Sequence, residues 1–165
     1  MAKRMTGTAW VLLAVLAAMW LAFAIWLYVG TPYEPDPGLT SSYMQIIIGA
    51  VHVYNDVTGS VPAEPEDYAP APAWFTGHSD EEWRVYCRSA ALYSQLVDVE
   101  KSLNTCAKLP IGATAIIEEG PAAFVDSWGH YMDYQPQGDF GGPLIISAGQ
   151  DGRFGTEDDY RSDGR

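Results

Sequence analysis

Basic residues are scarce in this chain and unevenly spread. Nine lysines and arginines face 21 aspartates and glutamates, giving a formal net charge of −12. No lysine or arginine occurs between Arg4 and Arg84. A surface this acidic repels phosphate backbones and anionic lipid headgroups, which excludes nucleic acid as a partner. Cysteine is nearly absent, with only Cys87 and Cys106, so no cysteine near the N-terminus is available for lipidation. His52, His78 and His130 lie far apart without metal-ligand spacing, which argues against zinc. G-x-S-x-G, H-E-x-x-H, P-loop and dinucleotide signatures are all missing, and nothing singles out two carboxylates as a hydrolytic pair. The chain reads as a protein that is not an enzyme.

What is present begins with an uncharged run from Ala9 to Val29. At about 1.5 Å per residue it spans roughly 30 Å, the thickness of a bilayer core. Lys3 and Arg4 precede it, so the positive-inside rule keeps residues 1–8 cytoplasmic and exports the remainder. Ala22-Phe23-Ala24 fits a signal-peptidase site, which is the alternative. The run exceeds a usual signal-peptide core and continues through Ile25-Trp26-Leu27-Tyr28-Val29, which favours a retained anchor. Ala14, Ala17 and Ala18 offer small-residue faces for homo-oligomerisation in the membrane. Beyond the anchor, about 135 residues suffice for one domain and one core. All 21 acidic residues fall there, and most of them serve solubility.

Residues 30–39 hold Pro32, Pro35 and Pro37 and read as an extended stalk. Thr40 or Ser41 then offers an N-cap, and apolar positions 43, 46, 47, 50, 51 and 54 predict a helix over about 41–57, stopped by Gly59. Val61 to Pro72 is a Pro-rich connection without periodicity. Ser79-Asp80-Glu81-Glu82 is a capping box that opens a second helix, running to about Ala107. One straight helix would hold Cys87 and Cys106 about 28 Å apart, whereas a helical hairpin would let them bond, and no Gly or Pro marks a bend. Ala113 to Glu118 is a strand candidate, and His130–Gln135 with Pro143–Ser147 reads as an antiparallel pair.

The last third carries the strongest pattern. Asp126-Ser127-Trp128-Gly129 reads as a turn in which Asp caps its own backbone, Gly takes positive φ and Trp packs over the core. Ser147-Ala148-Gly149-Gln150-Asp151-Gly152 ends a strand, and Thr156-Glu157-Asp158-Asp159-Tyr160 closes an acidic, glycine-rich loop. Asp151, Asp158 and Asp159 supply hard oxygen ligands suited to Ca²⁺, and the carbonyls of Ile146 and Ser147, or their neighbours, complete a candidate shell. Glu157 is placed in solvent. The spacing is not that of an EF-hand, and an ordinary solvated acidic tail is the alternative. Phe154 is the residue that would anchor the loop to the domain. His52 and His130 read as packing or hydrogen-bonding residues.

These blocks, with Ile46 to Pro62 (IIIGAVHVYNDVTGSVP), resemble the major pseudopilin of type II secretion systems. That family has a D-P-W-G-x-x-Y element, a strand ending in S-x-G-x-D-G and a closing acidic pair that helps hold Ca²⁺. Ser127 stands where the family has Pro, a mild departure. Three others matter, one being that residues 74–125 form a segment larger than the family's variable region. The prepilin peptidase site is missing, since Thr8-Ala9-Trp10-Val11-Leu12 follows Gly7 without a Glu. Prolines separate the membrane run from the first soluble helix. The resemblance implies an α+β fold: an N-terminal transmembrane helix over 9–29, then a pilin-like domain over 40–165. In that domain a long amphipathic helix packs on a small antiparallel sheet, with a C-terminal calcium-type loop and a helical insertion at 74–125. The function it implies is structural or interactive, in a secretion or pilus-type apparatus, with the membrane and other pseudopilin or secretion-apparatus subunits as partners. A stand-alone ligand-binding domain of the envelope is the alternative.

Overall fold

The computed structural model describes residues 19–20, 35–116, 120–138 and 141–164. The cytoplasmic segment 1–8, the membrane run 9–29 apart from Met19 and Trp20, and the stalk up to 34 lie outside the described residues. Met19 and Trp20 are helical and exposed. Among the described residues no helix is long and apolar enough to cross a membrane. Residues 1–34 and 35–165 form separate compact units, and the following concerns the second.

Helix α1 spans Pro37–Thr58. It starts earlier than residue 41, and the stalk correspondingly ends earlier than 39. The cap is Asp36 rather than Thr40 or Ser41: its carboxylate accepts from the Gly38 N–H at 2.8 Å. Pro37 then occupies a first-turn position, where a missing N–H costs nothing. Asp36 is extended, with φ −116° and ψ 117°, so α1 begins afresh there. Gly59 ends the helix in the left-handed conformation, as anticipated. Tyr43, Met44, Ile47, Ala50 and Val51 line its buried stripe. Of these, the larger Met44, Ile47 and Val51 each contribute about 1.5–3 kcal/mol on burial.

The second helix corrects the expectation of one element to Ala107. It divides into α2, Asp80–Asp98, and α3, Glu100–Cys106, with Val99 extended between them at φ −105° and ψ 110°. A β-branched residue tolerates that conformation well. The break lets Ser102 and Cys106 bury, and the Ser102 hydroxyl donates to the Ala50 carbonyl of α1 at 3.2 Å. Despite the bend, Cys87 and Cys106 are both free. Burial pushes both thiols up, that of Cys106 to about 11.

Two small antiparallel sheets complete the domain. Strands β1 (Thr114–Ala115) and β2 (Ala123–Phe124) pair Thr114 with Phe124. Strands β3 (Asp133–Gln135), β4 (Leu144–Ser147) and β5 (Tyr160–Arg161) form a sheet with β4 central. The anticipated pair is present, with Tyr134 opposite Ile145. The fold is therefore α+β, and α1 packs on α3 as well as on β4 and β5. Within 74–125, the segment read as an insertion, α2, α3 and β2 contribute buried residues to the core. Helix α2 packs on β2 and β3, and its Leu92 and Leu96 join Ile47, Val51, Phe124 and Ile145 in the main apolar cluster.

Candidate functional site

The Asp126 turn is built as the sequence predicts. Asp126 is 2% exposed, and its Oδ1 accepts from the N–H groups of Trp128 and His130, each at 2.9 Å. Gly129 takes φ 89°. Trp128 is half-buried and stacks on Tyr160 at 5.6 Å, which joins the turn to β5. Ser127 anchors the turn to the start of α1. Its N–H donates to the Thr40 hydroxyl at 3.1 Å, and its own hydroxyl donates to the Asp36 carbonyl at 3.0 Å. A proline at this position could not make the first of these bonds.

The second oxygen of Asp126 does what the sequence reading missed. It accepts from the Ser147 hydroxyl at 2.6 Å, deep in the domain, and that hydroxyl accepts in turn from the Gly149 N–H at 3.1 Å. The His130 ring bonds the Gly149 carbonyl through Nδ1 at 2.9 Å, the hydrogen-bonding role foreseen for it. The turn thus holds the root of the acidic loop. The available signal was a buried-type turn carboxylate with one oxygen left over, near a Ser at the end of an apolar strand. At Gly149, with φ 63°, a Cβ would lie 2.1 Å from the Asp158 carbonyl, so only glycine fits this crossing.

The loop folds on its own backbone. Asp158 Oδ2 accepts from the Asp151 N–H at 3.0 Å, and Asp151 Oδ1 from the Arg153 N–H at 2.8 Å. The Thr156 hydroxyl reaches Asp158 Oδ1 at 2.6 Å. That bond first, and the Asp151 N–H second, hold the Asp158 carboxyl below the usual carboxylate range. Asp159 Oδ2 accepts from the Gly155 N–H at 2.7 Å, while its Oδ1 is buried without a hydrogen-bond partner. Glu157 is exposed. Phe154 borders a hollow of about 60 Å³ shared with His78, Glu82 and Val85 at the start of α2.

The structure therefore brings Asp151 and Asp158 together and sets Asp159 on the same turn. Ile146 and Ser147 lie in the central strand instead: Ile146 pairs with Asp133 on one side and Arg161 on the other, and Ser147 opposes Tyr160. Backbone groups at such positions serve the sheet ladder. Among the described residues no group of three or more His, Cys, Asp or Glu side chains is placed to hold a metal ion. The donors are nonetheless all hard oxygens, and the stranded Asp159 Oδ1 is the atom a cation would satisfy. His52 sits exposed on α1, away from the loop. No protein-family model, curated protein or solved structure matches this chain, so its assignment rests on its own residues and their geometry.

Proposed function

We propose that the chain is a membrane-anchored, pseudopilin-like structural and interaction protein of a type II secretion or pilus-type apparatus, with a Ca²⁺-stabilised C-terminal loop. The observation that supports this most is the bond from Ser147 to Asp126. The two motifs on which the resemblance rests, separated in sequence, meet in one buried construction. The charge balance fits as well, because an acidic domain suits an extracytoplasmic subunit better than a binder of polyanions. Asp159, with Asp158 and Asp151, would hold the cation. A bound Ca²⁺ supplies the positive charge that lets these carboxylates lie close together.

A photo-crosslinking side chain placed at exposed Ile111 or Ile116 of the full chain, in its native membrane, tests the assignment. The expected result is a series of adducts spaced by the 18.0 kDa subunit mass, or adducts to other single-span subunits. A chain that stays monomeric and un-crosslinked at both positions overturns it.

A further inference from the structure

The Pro-rich connection at 61–72 is pinned to α2. The Gln95 amide accepts from the Ala63 N–H at 2.9 Å and donates to the Ala63 carbonyl at 2.8 Å. The Trp83 indole N–H donates to the Ala69 carbonyl at 2.6 Å, and the Tyr134 hydroxyl donates to the Pro62 carbonyl at 2.9 Å. Between the connection and the helix lies an open cleft of about 600 Å³, within the range of small-molecule sites. Trp83 and Tyr86 stack at 5.2 Å along one wall, and Trp74 meets both at nearly right angles, each 5.8 Å away. Gly120 backs this corner so closely that a Cβ there would lie 2.5 Å from the Tyr86 hydroxyl and 3.0 Å from Trp74. The cleft is therefore preformed by bonds that no ligand has to make.

Its lining offers acceptors and π-faces, and few donors. Pro65, Pro70, Pro72 and Pro121 have no N–H to give. The Trp83 indole and the Tyr86 hydroxyl have already spent theirs on the Ala69 and Pro121 carbonyls. Among side chains, the Trp74 indole, the Cys87 thiol and the Ser94 hydroxyl are what remain. Among the described residues no lysine, arginine or histidine lines the cleft, and Arg84 and Arg88 border a different hollow with Asp80 and Glu81. Among the described residues Asp67 is the one carboxylate in the wall, on a connection that also carries Glu64 and Glu66 and no basic residue. An anion would find like charge here, and a sugar would find too few donors.

We propose that this cleft binds a small alkylated ammonium cation, its methyl groups packed on Trp74 and Trp83 and its charge balanced by Asp67. Aromatic faces attract such cations through the ring quadrupole, and alkylation spares the site the cost of stripping a strongly hydrated ammonium. The net charge of −12 raises the local concentration of cations. This binding does not depend on filament assembly or on Ca²⁺, so it stands or falls apart from the function proposed above.

The test is calorimetric titration of the full-length chain, in a non-ionic detergent free of choline headgroups, with choline and with its uncharged isostere 3,3-dimethylbutanol. Saturable choline binding is expected, with the isostere at least tenfold weaker. Asp67→Asn, at an exposed position outside the core, should weaken choline several-fold and leave the isostere unchanged. Trp74→Leu should abolish saturation by choline, with circular dichroism checking that the fold persists. Equal affinity for the two probes, no saturable choline binding by the parent chain, or indifference to Asp67→Asn would each overturn the proposal.

Discussion

Asp126 and Asp159 are carboxylates of the same small region with opposite situations. Asp126 is enclosed, and protein donors satisfy both its oxygens: two backbone N–H groups on one, the Ser147 hydroxyl on the other. Asp159 is half-buried, yet one of its oxygens is cut off from solvent without a partner. A buried polar group must find its hydrogen bonds or cost stability. The first residue is thus complete within the chain, while the second invites something from outside it. The contrast divides the C-terminal third into a self-sufficient turn and a loop that leaves one buried carboxylate oxygen unpaired.

The sharpest way to break that contrast is Asp126→Ala. It strands two N–H groups and a hydroxyl in the interior, each worth about 1–3 kcal/mol, so a loss of about 3 kcal/mol or more is expected in urea unfolding. A loss below about 1 kcal/mol would remove the turn from its anchoring role. Chelation addresses the other member. Ca²⁺ at one hundred times its dissociation constant adds about 2.7 kcal/mol, so a chelator should lower the melting temperature and speed proteolysis after exposed Arg153. Asp158→Ala should make the domain indifferent to chelator. Identical melting with Ca²⁺ and with chelator would make the loop an ordinary acidic tail.

Ser127→Pro should destabilise by about 1–2 kcal/mol, because the bonds that Ser127 donates to Thr40 of α1 and to its cap Asp36 are lost. An unchanged unfolding midpoint would show that those bonds contribute nothing. A pH series separates the loop from the core. Burial raises Tyr86 to about 12 and Cys106 to about 11. In the unfolded chain these groups lose their protons first, so their contribution is intact below about pH 9 and fades as pH rises toward 12. Asp158 is held low, so its contribution is present above the usual carboxylate range and fades in acid. Melting curves that decline at one end only would refute this division. Glu157→Ala is the smallest case: exposed and outside these bonds, it should change neither the midpoint nor the chelator response.

Local chemistry alone determined a good part of this protein. The capping box at Ser79 needs only Ser and Glu three apart, and both of its bonds form. The α1 stripe follows from 3.6-residue periodicity, and the Asp126 turn from an Asx bond and one glycine. The β3–β4 pair follows from an aromatic-bearing run and an apolar run on either side of a glycine-rich stretch. Tertiary structure decided what depended on distant partners. Val99 breaks a sequence that local propensity would keep helical, and beyond the break Ser102 and Cys106 are buried, with Ser102 bonded to α1. Strand β5 has two residues and no pattern of its own, and only pairing with β4 defines it. The second oxygen of Asp126, the stranded oxygen of Asp159 and the aromatic corner over the Pro-rich connection were invisible for the same reason. Each is set by how the chain packs rather than by its local pattern: Asp126 meets Ser147 21 residues on, and Gly120 and Pro121 close the aromatic corner from beyond α2.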